Sequence, residues 1–221
     1  MASGNKRLQI KRCASQLIHT TRAQFGQRQH QLMNQQSTKE YDFPSRAFHW
    51  VTAVVVISAF VLGPGDFGQI MRQGIDPATR GDIVWHESLG IFIFSMTALR
   101  LLWTAFRPSV PHTKMPRWMQ VTGTLVHVVL WILLLALPTT ALLSLGSESH
   151  PLTLLWGVRV DKLNVIANSS IAKLADWGDV HKFLGDVIVW IAGFHAAAAI
   201  FHHVILKDSV LSAMLPYRWF R

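Results

Sequence analysis

Histidines occur in stretches of the chain that are otherwise apolar enough to cross a bilayer. The stretch Trp177–Leu206 contains four of them, His181, His195, His202 and His203. His181 and His195 are close to four helical turns apart, so a helix would place them on one face with about 21 Å between them. An ionisable side chain at membrane depth is costly without a partner, and imidazole is a common metal ligand. The spacing therefore indicates two metal-bearing cofactors stacked across a hydrocarbon core.

The amino-acid composition limits which kinds of cofactor the chain could bind. Half of the 221 residues are hydrophobic and only 15% are charged, as in a protein surrounded by a lipid bilayer. The single cysteine, Cys13, excludes an intrachain disulfide framework, a Cys-x-x-Cys-His haem attachment and a cysteine-ligated cluster. Any haem would be non-covalent and held by histidines. The net charge of +9 comes from basic residues that flank apolar spans, so we expect no nucleic-acid partner.

Four apolar stretches predict an all-α integral membrane protein, a four-transmembrane-helix bundle that binds two haems. The predicted spans are residues 46–63, 83–106, 118–145 and 177–206, within one domain over residues 41–221. Residues 1–40 are basic and predict an extension that is disordered or lies on the membrane surface; an organellar transit peptide has a similar composition. Lys and Arg are concentrated in this extension, in the second connection and in the tail, which predicts that both termini are cytoplasmic.

This topology decides which histidines share a level of the membrane. The first span starts at the cytoplasmic side, where His49 lies, whereas the second and fourth spans start at the opposite side with His86 and His181. His195 lies four turns further along the fourth span, back at the level of His49. We therefore predict two pairs of axial ligands to iron, His49 with His195 and His86 with His181.

Small residues would leave room for a porphyrin one helical turn beyond each ligand, because positions i and i+4 are neighbours on a helix. The residues four positions after the predicted ligands are all small: Ala53, Gly90, Gly185 and Ala199. The residues at this spacing after His127, His202 and His203 are large: Trp131, Leu206 and Lys207. The size of the residue four positions later therefore distinguishes the four predicted ligands from the other three histidines. We interpret His127 as a packing or propionate-contacting residue, and His202 and His203 as interfacial residues. Arg100 is a candidate propionate contact, or it extends to lipid phosphate.

Sequence motifs suggest a family. FHW opens the first span and WHESLG the second, ALP lies near the end of the third, and HKFLG and GFHAAAAIFHH occur in the fourth. With these motifs, residues 43–218 resemble the bacterial four-helix cytochrome b561 family and, more distantly, the cytochrome b subunits of membrane hydrogenases and formate dehydrogenases. In both groups the histidines that match the four predicted ligands bind two b-type haems. Chains near this length resemble the superoxide oxidase branch of the family, which passes electrons from superoxide to ubiquinone.

The resemblance implies an oxidoreductase of the bacterial inner membrane, a superoxide:ubiquinone oxidoreductase. The haem at His86 and His181 would accept an electron at the outer side, and the haem at His49 and His195 would pass it to quinone. His202 is then a candidate quinone contact, with Lys114 and Arg117 as weaker candidates. One alternative is a non-catalytic electron-transfer subunit docked to a dehydrogenase or other redox partner; another is a helix bundle without haem. Basic residues in the outer loops would attract an anion, but acidic residues there largely offset them.

Overall fold

The structure is a computed structural model, and it describes residues 24–28, 41–106, 115–147, 150–161, 166 and 168–215. Residues 24–28 are helical and exposed. The remainder of the predicted extension over residues 1–40, and the candidate Lys114, lie outside the described residues.

Four long helices carry the fold, and a short one joins the first two. Their bounds are Phe43–Leu62 (α1), Phe67–Arg72 (α2), Gly81–Phe106 (α3), Arg117–Ser147 (α4) and Trp177–Phe201 (α5). A π-helix, His202–Leu206, extends α5 without a break. In the described part of the chain, α1, α3, α4 and the extended α5 are long and apolar enough to cross a membrane. The prediction of an all-α bundle with four transmembrane helices is confirmed.

The helices pack around a small apolar core and leave most of their other apolar side chains exposed. The core contains one or two buried residues from each long helix: Ala59, Ile93, Leu133, Leu134 and Ile188. On α5, Trp190 and Phe194 stack on each other and are both 69% exposed. Large exposed apolar side chains on a long helix are what a lipid-facing surface requires.

The start of α1 and the residues that follow α5 meet at one end of the bundle, which we call the terminal end. The Tyr41 amide donates to the Ala213 carbonyl at 3.2 Å, and the Trp50 indole N–H donates to the Met214 carbonyl at 2.9 Å. Asp42 caps α1 by accepting from the Ser45 amide at 3.2 Å. Four antiparallel spans therefore return the chain to the side where α1 begins.

The Asp42 carboxylate also joins two helices, because it accepts a hydrogen bond from the Trp103 indole at 2.8 Å. Partial burial of this carboxylate acts to raise its pKa, but the hydrogen bonds from Ser45 and Trp103 prevail and hold the pKa of Asp42 below its usual value. The start of α1 is thus fixed to the end of α3 by a carboxylate that stays ionised.

A β-hairpin covers the opposite end of the bundle, which we call the hairpin end. Strand β1 (Leu152–Leu154) pairs antiparallel with β2 (Val158–Val160), with Leu154 opposite Val158. The turn between them places Trp156 and Gly157 in the left-handed region, at φ 61° and 74°. This hairpin lies in the connection between α4 and α5.

Polar contacts attach the hairpin to α3. Glu87 accepts hydrogen bonds from both the amide and the hydroxyl of Thr153, and Thr153 is almost fully buried. The Ser88 hydroxyl accepts from the Leu155 amide at 2.9 Å. The residues that directly follow His86 therefore hold the cover of this end in place.

Candidate haem sites

Near the hairpin end, α3 and α5 bring His86 and His181 together. Their ring centroids are 6.0 Å apart and the rings are nearly perpendicular, at 88°. Both side chains are half-buried. This is one of the two pairs predicted from topology.

A backbone carbonyl orients each ring of this pair. His86 donates from Nδ1 to the Ala59 carbonyl at 2.7 Å, and His181 from Nδ1 to the Leu137 carbonyl at 2.9 Å. A carbonyl can only accept, so the proton of each neutral ring is on Nδ1 and the lone pair is on Nε2. Histidines that bind metals characteristically donate their other ring nitrogen in this way.

The Ala59 carbonyl is free to accept because α1 ends there. Gly63 donates its amide to Phe60 instead of Ala59, at 3.3 Å, and Pro64 has no amide proton to offer. Gly63 also lies against the imidazole: a Cβ added to it would be 3.4 Å from Cε1 of His86. The Gly-Pro pair that ends α1 thus creates both the acceptor and the space for the His86 ring.

Near the terminal end, α1 and α5 bring His49 and His195 together. Their ring centroids are 6.4 Å apart at an interplanar angle of 71°. A third ring, His127 of α4, lies 5.0 Å from His195. The ring of Trp50 packs edge-on against His49 at 5.5 Å. Among the described residues, no hydrogen bond orients either ring of this pair, in contrast to the pair at the hairpin end.

The two ring separations fit an iron held between facing imidazoles. Allowing about 2 Å for each metal–nitrogen bond and about 1 Å from nitrogen to ring centre gives a centroid separation of about 6 Å. The separations of 6.0 and 6.4 Å agree with this value. The 5.0 Å between His127 and His195 is shorter and corresponds to direct ring contact.

Two glycines leave open space beside the hairpin-end pair. Gly90 and Gly185 follow His86 and His181 by one turn, and both are half-buried. A Cβ added to either glycine would nevertheless meet no heavy atom within 4 Å. The other described glycines with such open surroundings are exposed. These two gaps lie one helical turn from the predicted ligands, where a porphyrin would need room.

Arg100 brings a positive charge to the terminal-end pair. Its guanidinium lies 4.8 Å from the ring centre of Trp131, a cation–π contact between α3 and α4. It is close enough to interact electrostatically with His49 and His195. Trp131 follows His127 by one turn, and its size is the reason that the sequence argued against a ligand role for His127. The structure shows that the same side chain contacts Arg100.

The remaining candidates lie close to the terminal end. His202 begins the π-helix, and its Nδ1 is hydrogen-bonded to the Asp208 carboxylate. Arg117 begins α4 and is exposed. Sequence reasoning missed Asp208, Gly63 and the two carbonyl acceptors. The Gly-Pro pair at the end of α1 was the one available signal, because a proline after a helix leaves carbonyls without partners.

A membrane-spanning helix bundle that presents facing histidine pairs has the architecture of a membrane electron-transfer cytochrome. The family model for prokaryotic cytochrome b561 matches residues 40–217. The chain belongs to the prokaryotic cytochrome b561 family, as its motifs predicted, and membership implies that it binds b-type haem.

Individual relatives agree with this assignment. Cytochrome b561 homolog 2 of Escherichia coli (strain K12) is 27% identical over 187 residues, which cover 80% of this chain and 92% of that protein. Cytochrome b561 homolog 1 of the same strain is 31% identical over 135 residues, covering 60% and 74%. A probable superoxide oxidase, CybB, of Yersinia pestis is 28% identical over 184 residues, covering 80% and 97%. The chain is a bacterial membrane protein with several transmembrane helices.

Proposed function

We propose that this protein is a di-haem cytochrome b that transfers electrons across the bacterial inner membrane to quinone, as a superoxide:ubiquinone oxidoreductase. The proposal rests on one observation: two pairs of histidines face each other at two levels of one helix bundle. Each has the ring separation expected of bis-imidazole ligation. Bound haem supplies a one-electron carrier at each level.

The four histidines act as axial ligands in this proposal. His86 and His181 offer Nε2 to iron, while their Nδ1 protons remain on backbone carbonyls and keep the rings from rotating. His49 and His195 would hold the second haem, and His195 is about 21 Å further along α5 than His181. Two imidazoles at each haem would leave no open position on the iron, so superoxide and quinone would exchange electrons with the haem without binding iron. Arg100 is positioned to contact a haem propionate near the terminal end.

The proposed orientation of the chain in the membrane follows from charge. The terminal end adjoins the basic N-terminal segment and tail, which the positive-inside rule assigns to the cytoplasm. The hairpin end then faces the outer compartment, where the electron enters. Quinone docks near the terminal end, with His202 contacting one of its carbonyl oxygens. The complete reaction oxidises two superoxide anions to O₂ and reduces one ubiquinone to ubiquinol, with uptake of two protons.

The identity of the electron donor rests on similarity to the probable superoxide oxidase more than on surface charge. Arg80 is paired with Asp82 at 2.7 Å, and Arg159 with Asp161 at 2.8 Å. These guanidinium groups at the hairpin end are already neutralised by carboxylates, which reduces their attraction for a small anion.

A second candidate function, an electron-transfer subunit docked to a dehydrogenase or other redox partner, is favoured by one observation. Trp156 is 95% exposed at the tip of the hairpin. Aromatic side chains are enriched in protein–protein interfaces, and this one lies on the cover of the site where electrons would enter.

The isolated, haem-loaded chain in detergent distinguishes the two functions. For an oxidoreductase, superoxide should reduce the haem rapidly and a short-chain ubiquinone should reoxidise it, with no other subunit present. Stopped-flow absorbance at the haem bands would measure both steps. His202→Leu should slow reoxidation by quinone while reduction by superoxide and the haem spectra are unchanged. Failure of superoxide to reduce the wild-type chain would favour the subunit function.

A further inference from the structure

The chain leaves α5 through a turn whose geometry is rare. Residues His202–Leu206 form a π-helix, and Lys207 then adopts a left-handed conformation at φ 53° and ψ 36°. A residue other than glycine in this region is strained, and both such residues and π-helical turns occur preferentially at functional sites. The strain must be offset by the contacts that the turn makes.

The turn brings the Asp208 carboxylate onto the His202 ring. The Asp208 amide donates to the His202 carbonyl at 3.2 Å, which closes the turn. One carboxylate oxygen accepts a short hydrogen bond from Nδ1 of His202. The other accepts from the Val210 amide at 3.1 Å. Both oxygens are therefore engaged, and the carboxylate is fixed in orientation.

This arrangement decides which nitrogen of the neutral imidazole carries the proton. A carboxylate accepts hydrogen bonds, so the proton lies on Nδ1 of His202 and Nε2 is the nitrogen available to a ligand. The His202 and Asp208 side chains are 18% and 28% exposed, so the pair is partly shielded from water. The carboxylate holds the Nδ1 proton in place and fixes the orientation of the ring.

The pair lies between the terminal-end histidines and the aqueous boundary. His202 is two turns beyond His195 on α5, about 10.5 Å along the axis. The residues that follow Asp208 fold back onto the start of α1, where Met214 accepts from Trp50 next to His49. A quinone that docks at this end would meet His202 before it reached the His49–His195 pair.

We infer that Asp208 is a positioning residue for protonation of the quinone, an inference that rests on the proposed function. Reduction of a quinone to a quinol takes up two electrons and two protons. The imidazolium of His202 donates its Nε2 proton to a quinone oxygen as the electrons arrive, one from each of two superoxide anions. The neutral ring keeps its Nδ1 proton on Asp208, and the second quinone oxygen, at the opposite end of the ring, takes its proton from the aqueous phase.

The test uses the full-length, haem-loaded protein and two oxidants of different chemistry. Short-chain ubiquinone requires protons, whereas ferricyanide accepts one electron and takes up none. Asp208→Asn keeps an oxygen acceptor but removes the charge. It should slow haem reoxidation by ubiquinone about tenfold or more, because a positioning residue contributes part of the rate enhancement of a general acid. Reoxidation by ferricyanide and the haem spectrum should not change, and Asp208→Glu should restore most of the quinone rate.

A matched control and a second variant keep the inference falsifiable. Asp161→Asn makes the same chemical change in an exposed acid at the hairpin end, and it should leave both rates unchanged. If Asp208→Asn does not retain haem, Asp208→Ala with added acetate replaces it, and the added carboxylate should restore the quinone rate. A wild-type quinone rate in Asp208→Asn, equal slowing with ferricyanide, or no rescue by acetate would overturn the inference. Failure of wild-type protein to react with ubiquinone would instead refute the proposed function.

Discussion

Replacing Gly185 with Leu tests whether the gap beside His181 is where a haem binds. A side chain added to Gly185 meets no heavy atom of the chain within 4 Å, so Leu fits when only protein is considered. The substitution also raises helix propensity, because glycine is among the poorest helix formers. If a porphyrin occupies the gap, the added side chain overlaps it, and overpacking of this kind costs about 1–3 kcal/mol. Haem affinity at this site should then fall roughly 5- to 150-fold.

Haem per chain, measured by the pyridine haemochrome assay on purified protein, reports the outcome. Gly185→Leu should retain about one haem of two, with the terminal-end haem unchanged in the reduced-minus-oxidised spectrum. Gly193→Leu is the matched control, because Gly193 is on the same helix and equally open but exposed. It should retain both haems. Full haem content in Gly185→Leu, or equal loss in both variants, would refute the reasoning.

Three further predictions follow from the same contacts. His86→Ala and His49→Ala should each leave about one haem per chain, with different residual spectra; loss of the same haem in both would refute the pairing. Gly63→Val should crowd the His86 ring and shift one midpoint potential in a redox titration; two unchanged potentials would contradict this. Asp42→Ala should lower the free energy of unfolding by about 1 kcal/mol at neutral pH, through loss of the helix cap. The pKa of Asp42 is lowered in the folded state, so its ionised form is the stabilising one. The difference in stability between wild type and Asp42→Ala should therefore diminish in melting curves recorded as pH falls through that pKa. A difference that does not change with pH would exclude a role for the charge of Asp42.

The arrangement of the histidines could be predicted because it depends on two simple periodicities. Helical rise converts the 14-residue separation of His181 and His195 into two levels, and the alternation of antiparallel spans assigns His49 and His86 to them. In the structure, the ring centroids are 6.0 Å apart in one pair and 6.4 Å apart in the other. Their role as iron ligands stays a prediction until haem is measured in variants.

The groups that orient the rings of His86 and His181 could not be predicted, because any residue type can supply a backbone carbonyl as the acceptor. Nothing in the identity of Ala59 or Leu137 indicates that its carbonyl accepts from a histidine on another helix. Contacts between distant parts of the chain were missed for a related reason: Thr153 donates to Glu87 across 66 positions, from strands too short to show an alternating pattern. The closeness of Asp208 to His202 depends on a π-helix, which sequence periodicity does not predict.

The central claim is that each histidine pair holds one haem, and haem stoichiometry tests it most directly. The purified full-length chain should contain two non-covalent b-type haems, removable by acidified organic solvent, and its reduced-minus-oxidised spectrum should resolve into two components in a redox titration. One haem per chain would eliminate one of the two sites, and a chain that folds and inserts without haem would contradict the account as a whole.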